Sequence, residues 1–208
     1  MSDTMIVEPA PAKLNLALHV RRRRADGYHE LETLFAFVTA GDVVRVERAD
    51  TPSFAVTGPF AAALSGEGDN LVLRACRAFA DAFGGGENYA ITLDKHLPVA
   101  SGIGGGSSDA AATLRALARL NDVDIGDPRL FDCAAQLGSD VPVCLLGQTA
   151  RGGGRGEVLE PIPGWPGTPV LLVNPGVAVS TARVFAAWDG VDRGPLSSDN
   201  DFAEGRND

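Results

Sequence analysis

Between residues 97 and 120 the sequence reads LPVASGIGGGSSD followed by AAATLRALARL, and no other stretch restricts the fold as strongly. Glycines at 102, 104, 105 and 106 remove side chains, so the backbone there is free to take positive φ and to approach a ligand closely. Ser107, Ser108 and Asp109 are residue types that cap helix N-termini, and a run of strong helix formers follows. The stretch predicts a glycine-rich loop feeding a helix N-terminus. Unpaired N–H groups and the helix dipole there favour an anion, typically a phosphate. Taken alone, the glycines also fit a plain tight turn. The stretch is not a P-loop, because no lysine follows the glycines. It fits a dinucleotide fingerprint poorly. Ser107 stands at the third-glycine position, and residues 94–98 make a poor parallel-strand ending.

Composition narrows the setting. With 45% hydrophobic and 22% charged residues, the 208-residue chain can bury a core of ordinary size. A net charge of −9 argues against a nucleic-acid partner, which needs a basic face. Basic and acidic residues balance up to residue 48, so the deficit lies in the remainder. Cys76, Cys133 and Cys144 stand in apolar contexts without Cys-x-x-Cys spacing, and read as reduced, buried thiols rather than disulfides or metal ligands. No signal-peptide pattern and no run of about 18 apolar residues occurs, so no membrane association is expected and the expected location is cytoplasmic.

Along the chain, Leu14, Leu16, Leu18 and Val20 alternate with Asn15, Ala17 and His19, which predicts a strand over 6–20 with an irregular entry at Pro9 and Pro11. Lys13 falls on the face opposite the leucines, where a lone lysine is ordinarily solvated. The run Arg21 to Arg24 ahead of Ala25-Asp26-Gly27 reads as a solvated turn, and Tyr28-His29, taken alone, as a hydrogen-bonded surface pair. Residues 35–39 and 42–48 predict two strands around Ala40-Gly41, with 53–56 a short edge strand. A helix is predicted over 71–83, capped by Asp69 or Asn70 and stopped by Gly84. Residues 89–93 read as a strand, 128–137 as a helix ending at Gly138, and 139–147 as a turn into an apolar segment. The glycine-rich 150–157 reads as a mobile loop or hairpin, 158–162 and 170–174 as strands, and 181–188 as a short helix. The last twenty residues hold six acids and two arginines and show no packing pattern.

Three motifs occur in order: Pro11-Ala12-Lys13-Leu14-Asn15-Leu16, the loop from Pro98 to Asp109, and Leu137-Gly138-Ser139-Asp140-Val141-Pro142. Together they resemble the GHMP small-molecule kinases, the family of galactokinase, homoserine kinase and mevalonate kinase. The run Arg24-Ala25-Asp26-Gly27-Tyr28-His29-Glu30-Leu31 is similar to the branch acting on cytidine diphosphate methylerythritol in non-mevalonate isoprenoid synthesis. So are Asp94-Lys95-His96-Leu97-Pro98 and Gly105-Gly106-Ser107-Ser108. The resemblance spans residues 9 to about 188. It implies an α+β fold, with a mixed sheet and helices on one face. Residues 1–163 would form the ATP-binding and catalytic domain and 164–208 the start of a second one.

The implied reaction moves the γ-phosphoryl of ATP onto the 2-hydroxyl of the methylerythritol unit, with Mg²⁺ bridging ATP oxygens. Pro98, Val99, Ala100, Ser101, Gly102, Ile103, Gly104, Gly105, Gly106, Ser107 and Ser108 would wrap the phosphates. Asn70 and Lys95 would lie near the adenosine. Asp140 matches the family's general base, and Lys13 its cationic partner, which keeps the carboxylate ionised and offsets charge in transit. Asn15 would steady Lys13 or the substrate. Tyr28, His29 and Phe35 suit a cytosine, and Phe185, in the segment from Thr181, would close its other side. No dedicated metal cage is expected; the Ser107 and Ser108 hydroxyls are candidate contacts.

The chain departs from the family in two places. Ser139 stands where a small alanine is usual. Family members also continue past position 208 into a C-terminal domain with a Gly-Thr-Gly-type motif that walls the substrate site, and these 208 residues contain nothing like it. A C-terminally truncated chain, with the cleft open on one side, is therefore expected. The competing readings are another GHMP kinase with an aliphatic substrate, a nucleotide-binding remnant without turnover, and a Rossmann dehydrogenase. The sequence leaves the oligomeric state open.

Overall fold

Two long antiparallel strands carry the sheet in the computed structural model, which describes residues 4–64, 70–84, 88–177 and 180–196. They are β1 (Ile6–Arg23) and β2 (His29–Arg48), paired along nearly their whole length. β3 (Ser53–Thr57), β4 (Tyr89–Asp94), β5 (Ala150–Gly153) and β6 (Val158–Pro161) complete a mixed sheet in the order β3-β4-β2-β5-β6, with β1 on β2. Only the β3–β4 pair is parallel. The helices are α1 (Leu71–Phe83), α2 (Gly105–Leu120), α3 (Pro128–Leu137), α4 (Val141–Leu146) and α5 (Thr181–Ala186). α2 lies on β1 and β2, and α1, α3 and α4 gather around α2.

That arrangement explains the composition of α2. Ten of its residues are buried, including Ala110, Ala111, Ala112, Ala116 and Ala118. A helix surrounded on all sides needs an apolar surface all round, and the alanines let the sheet and three helices approach closely. Leu114 and Leu117 are fully buried at its centre against Val44, Val46, Ile91 and Leu93 of the sheet. Each such leucine contributes about 1.5–3 kcal/mol by removal from water. The ends of α1 follow the sequence prediction. The Asn70 side chain accepts the Leu73 N–H, and Gly84 closes the helix in the left-handed region. Asp69, the other cap candidate, lies outside the described residues, as does the acidic stretch 197–208.

Four local expectations are corrected. Residues 35–48 form one strand, not two. Gly41 is no turn residue: it faces Pro11 across the ladder, and a Cβ there would stand 2.5 Å from the Ala10 carbonyl oxygen. Arg21, Arg22 and Arg23 end β1 rather than forming a turn, because Arg21 and Arg22 meet Glu32 and Glu30 of β2 as cross-strand charge pairs. α2 begins at Gly105, with Gly104 as its N-cap, so Ser107, Ser108 and Asp109 are inside the helix. Residues 170–174 are not a strand, since no neighbouring strand among the described residues offers them a ladder, and Leu171 is 87% exposed.

The strand predicted over 6–20 forms, but its alternation is broken at the register shifts after Pro11 and Asn15, and its faces are distributed unexpectedly. Ala10, Ala12, Lys13 and Ala17 are buried, whereas Leu16 and Leu18 are exposed. Leu14 and Leu16 line a broad surface groove with Phe37, Trp165, Val170 and Leu172. The glycine-rich 150–157 is the β5–β6 hairpin. Among the described residues no helix is long and apolar enough to cross a membrane.

Candidate active site

Lys13 organises the site. It sits on the buried face of β1, 3% exposed, just past the register shift between Pro11 and Lys13. A buried ammonium must be paired, and this one is. Its Nζ lies 2.7 Å from Asp140 Oδ2 and donates to Asn15 Oδ1 at 2.9 Å. Asn15 Nδ2 donates to Thr33 Oγ1 at 2.7 Å, and that hydroxyl donates to the Ala17 carbonyl. A relay across the β1–β2 ladder thus fixes the lysine. Asp140 occupies the N-cap position of α4 without capping it, so its carboxylate is spent on Lys13 and remains partly open to solvent.

The glycine loop closes on the same point. The Lys13 backbone N–H donates to the Ile103 carbonyl at 2.9 Å, and a Cβ on Gly104 would stand 2.9 Å from Lys13 Cε. Gly104 has φ +67°, so it caps α2 in a conformation and at a closeness that favour glycine. No side chain caps α2, which leaves its first N–H groups available to an anion. The loop, α2 and α1 enclose a cavity of about 410 Å³, onto which Asp140 also opens.

Most of the residues expected to bind the nucleotide line this cavity: Asn70, Lys95, Pro98, Val99, Ala100, Ser101, Gly102, Gly104, Gly105, Gly106 and Ser107. Thr181, assigned to the acceptor, lines it as well. Ile103 does not; its carbonyl holds Lys13. Ser108 is turned inward, its hydroxyl donating to the Pro11 carbonyl at 2.7 Å and its N–H to Gly104. Lys95 is buried, with its ammonium between Asp42 and Asp109 at 2.6 Å from each.

The residues expected around a base divide into two groups. Phe35 is core, 1% exposed, with Lys13 Nζ 5.5 Å above its ring. It offers no free face to a base, because its ring is buried against Gly152 and Gly156 of the β5–β6 hairpin and under Lys13. Tyr28 is half exposed, with the Arg155 guanidinium 4.8 Å over its ring. His29 and Phe185 do come together, stacked at 5.4 Å, and Trp188 meets His29 edge-on at 5.5 Å. Sequence reasoning missed Thr33, Asp42, Asp109, Arg155 and Trp188. Asp109 stood at the end of the glycine motif but read as a helix cap, and the Gly-Arg-Gly sequence of 154–156 was the signal available for Arg155. Burial pushes the Cys144 thiol up to about 12, so it is no nucleophile near neutrality. Among the described residues no three carboxylate, histidine or cysteine side chains form a metal cluster.

The GHMP kinases N terminal domain family matches residues 70–148, which run from the α1 cap through the loop to the end of α4. A 4-diphosphocytidyl-2-C-methyl-D-erythritol kinase of Rhizorhabdus wittichii is 55% identical over 97% of this chain and 71% of its own length. The chain belongs to the 4-diphosphocytidyl-2-C-methyl-D-erythritol kinase family of GHMP kinases. The relative of the same name from Novosphingobium aromaticivorans is 52% identical over 91% of this chain and 64% of its own length. The chain thus spans about two thirds of the length of these relatives. A crystal structure of 4-(cytidine 5'-diphospho)-2C-methyl-D-erythritol kinase superposes with a TM-score of 0.62 and 41% identity, covering 80% of this chain and 61% of that one. Homoserine kinase from Cytophaga hutchinsonii shares the fold, with a TM-score of 0.60 at 20% identity over 89% of this chain and 60% of that one.

Proposed function

We propose that this chain transfers the γ-phosphoryl group of ATP to the 2-hydroxyl of 4-diphosphocytidyl-2-C-methyl-D-erythritol. The observation that carries the reading is the 2.7 Å Lys13–Asp140 pair set at the mouth of a glycine-loop cavity. The loop and the open N-terminus of α2 receive the triphosphate. Asp140 accepts the proton of the acceptor hydroxyl as its oxygen bonds to the γ-phosphorus, and the bond from that phosphorus to the β-phosphate oxygen breaks to release ADP. Lys13, adjacent to both carboxylate and phosphoryl, orients Asp140 and offsets charge on the transferring group. Asn15 and Thr33 hold Lys13 in place.

Mg²⁺ fits as a companion of the triphosphate rather than as a resident ion, because the two carboxylates on the cavity, Asp109 and Asp140, are each engaged by a lysine, and Asp140 and the Ser107 hydroxyl would add at most single oxygens to those of the phosphates. When bound it would neutralise phosphate charge. Tyr28, His29 and Phe185 form the cytosine side, and because His29 and Phe185 already touch, the incoming base must part them or stack outside them. In this reading residues 1–163 are the nucleotide-binding and catalytic unit, and 164 onward opens a second one. The setting is cytoplasmic, in keeping with three free cysteines.

The test is an assay of the purified chain with ATP, Mg²⁺ and the cytidine diphosphate acceptor, read by ³¹P NMR. Appearance of ADP together with a new phosphomonoester resonance supports the reading. Stabilisation by nucleotide with no new phosphomonoester would sink the kinase assignment and leave a nucleotide-binding protein.

A further inference from the structure

Beneath the glycine loop lies a charged cluster that the phosphoryl-transfer scheme does not use. Lys95, just past β4, donates from Nζ to Asp42 Oδ2 of β2 and to Asp109 Oδ2 of α2, each at 2.6 Å. The second oxygen of Asp42 accepts the backbone N–H groups of His96 and Leu97, at 2.5 and 2.7 Å. None of the three side chains is more than 4% exposed. A charged cluster this dry is costly to bury unless its geometry is well made, so its position calls for an explanation beyond stability.

Its position is at both ends of the loop. His96 and Leu97 begin the segment, and Asp109 lies in the second turn of the helix that ends it. Between them, Val99, Ala100 and Gly102 face solvent, and Ala100, Gly102 and Gly104 all have positive φ. Ala100 pays a strain there that glycine would not. A loop with so exposed a middle keeps its shape through its ends. Two ties run to β1, the Lys13 N–H on the Ile103 carbonyl and the Ser108 hydroxyl on the Pro11 carbonyl; the Asp42–Lys95–Asp109 clasp ties the loop to β2 and joins its two ends. Lys95 Nζ also lies within 3.2 Å of where a Gly105 side chain would begin, directly under the first turn of α2.

We propose that Asp42 is a positioning residue for nucleoside triphosphate binding: through Lys95 and the His96 and Leu97 amides it sets the distance between the loop's ends, and so the aim of the loop N–H groups. The assignment rests on the ATP reading above. Asp42 does not line the cavity; it acts through the loop. Asp109 closes the clasp from the helix side, and its Oδ1 has no hydrogen-bond partner among the described residues. Lys95 was expected near the adenosine, but its ammonium is taken up by the two carboxylates under the first turn of α2, so the clasp is felt at the phosphates and not at the nucleoside.

The experiment is calorimetric titration of the full chain with ATP and, separately, with adenosine. Asp42→Asn keeps the side-chain shape and removes the charge that fixes Lys95. It should weaken ATP about tenfold while leaving adenosine within about twofold, the size expected for loss of a charged hydrogen bond. Asp109→Ala removes the side chain that meets Lys95 whatever its protonation, and should show the same split, so it decides the matter if Asp42→Asn does not fold. Unchanged ATP affinity, or equal loss for ATP and adenosine, overturns the assignment and leaves the ATP reading standing. If the unaltered chain binds neither ligand, the ATP reading falls and the assignment falls with it.

Discussion

The nucleotide side and the base side of the site are held in opposite ways. On the nucleotide side Lys13 and Lys95 are buried and bound to carboxylates, and the loop is tied to β1 and β2 by hydrogen bonds. On the base side Tyr28 is half exposed, Arg155 rests on its ring, and Phe185 belongs to the six-residue α5, none of whose residues is buried. Charge develops during phosphoryl transfer, and donors fixed in advance stabilise it without reorganisation. A planar base needs only faces that close on it. Substitutions on the first side should therefore reduce turnover or ATP affinity, and those on the second should reduce acceptor affinity.

The largest expected effect is at Lys13. Lys13→Met keeps the bulk but leaves Asp140 without its cation, and kcat should fall by at least about a hundredfold, the scale of losing one preorganised electrostatic donor. Steady-state kinetics that show only a raised KM would break the division between the two sides. A smaller effect is expected at Phe185. Phe185→Ala removes one stacking partner worth about 0.5–1.5 kcal/mol, so the acceptor KM should rise several-fold while the ATP KM stays put. An equal rise in both would show that α5 serves the whole site.

The smallest effect is a pH dependence. Burial raises the Asp109 carboxyl to about 7, with the neighbouring Asp42 charge adding to the rise and Lys95 opposing it. The folded chain thus holds a proton that the unfolded chain releases near pH 4. That contribution to stability is complete below about pH 4 and is lost as pH rises through about 7. Between about pH 5 and 8 the melting temperature of the unaltered chain should fall relative to that of Asp109→Asn. Parallel melting curves across that range would contradict the proton assignment.

Much of the nucleotide side was legible in the sequence because its devices are local. Asn70 and Gly84 bracket an amphipathic helix, and four glycines within five residues announce a backbone that comes close to something. The pairing of Lys13 with Asp140 is not local. One lies on β1 and the other at the start of α4, and only the motif resemblance put them together. Alternation along β1 separated two faces but could not say which was inside, since alanines can pack a core against a helix as alanine-rich as α2. Ala40-Gly41 looked like a turn because a glycine required by a close inter-strand approach has the same letter as one required by positive φ. The aromatic set around His29 stayed hidden in part, since Trp188 and Arg155 reach it from segments with no periodicity to place them.

The division between the two sides depends on what Asp140 does, and one variant measures it. Asp140→Asn preserves the shape of the side chain and its place at the start of α4 but removes the proton acceptor. Its kcat should drop at least about a hundredfold, as expected for loss of a general base, while ATP affinity measured by titration stays near that of the unaltered chain. Turnover close to normal in Asp140→Asn, with ATP still bound, would contradict the mechanism.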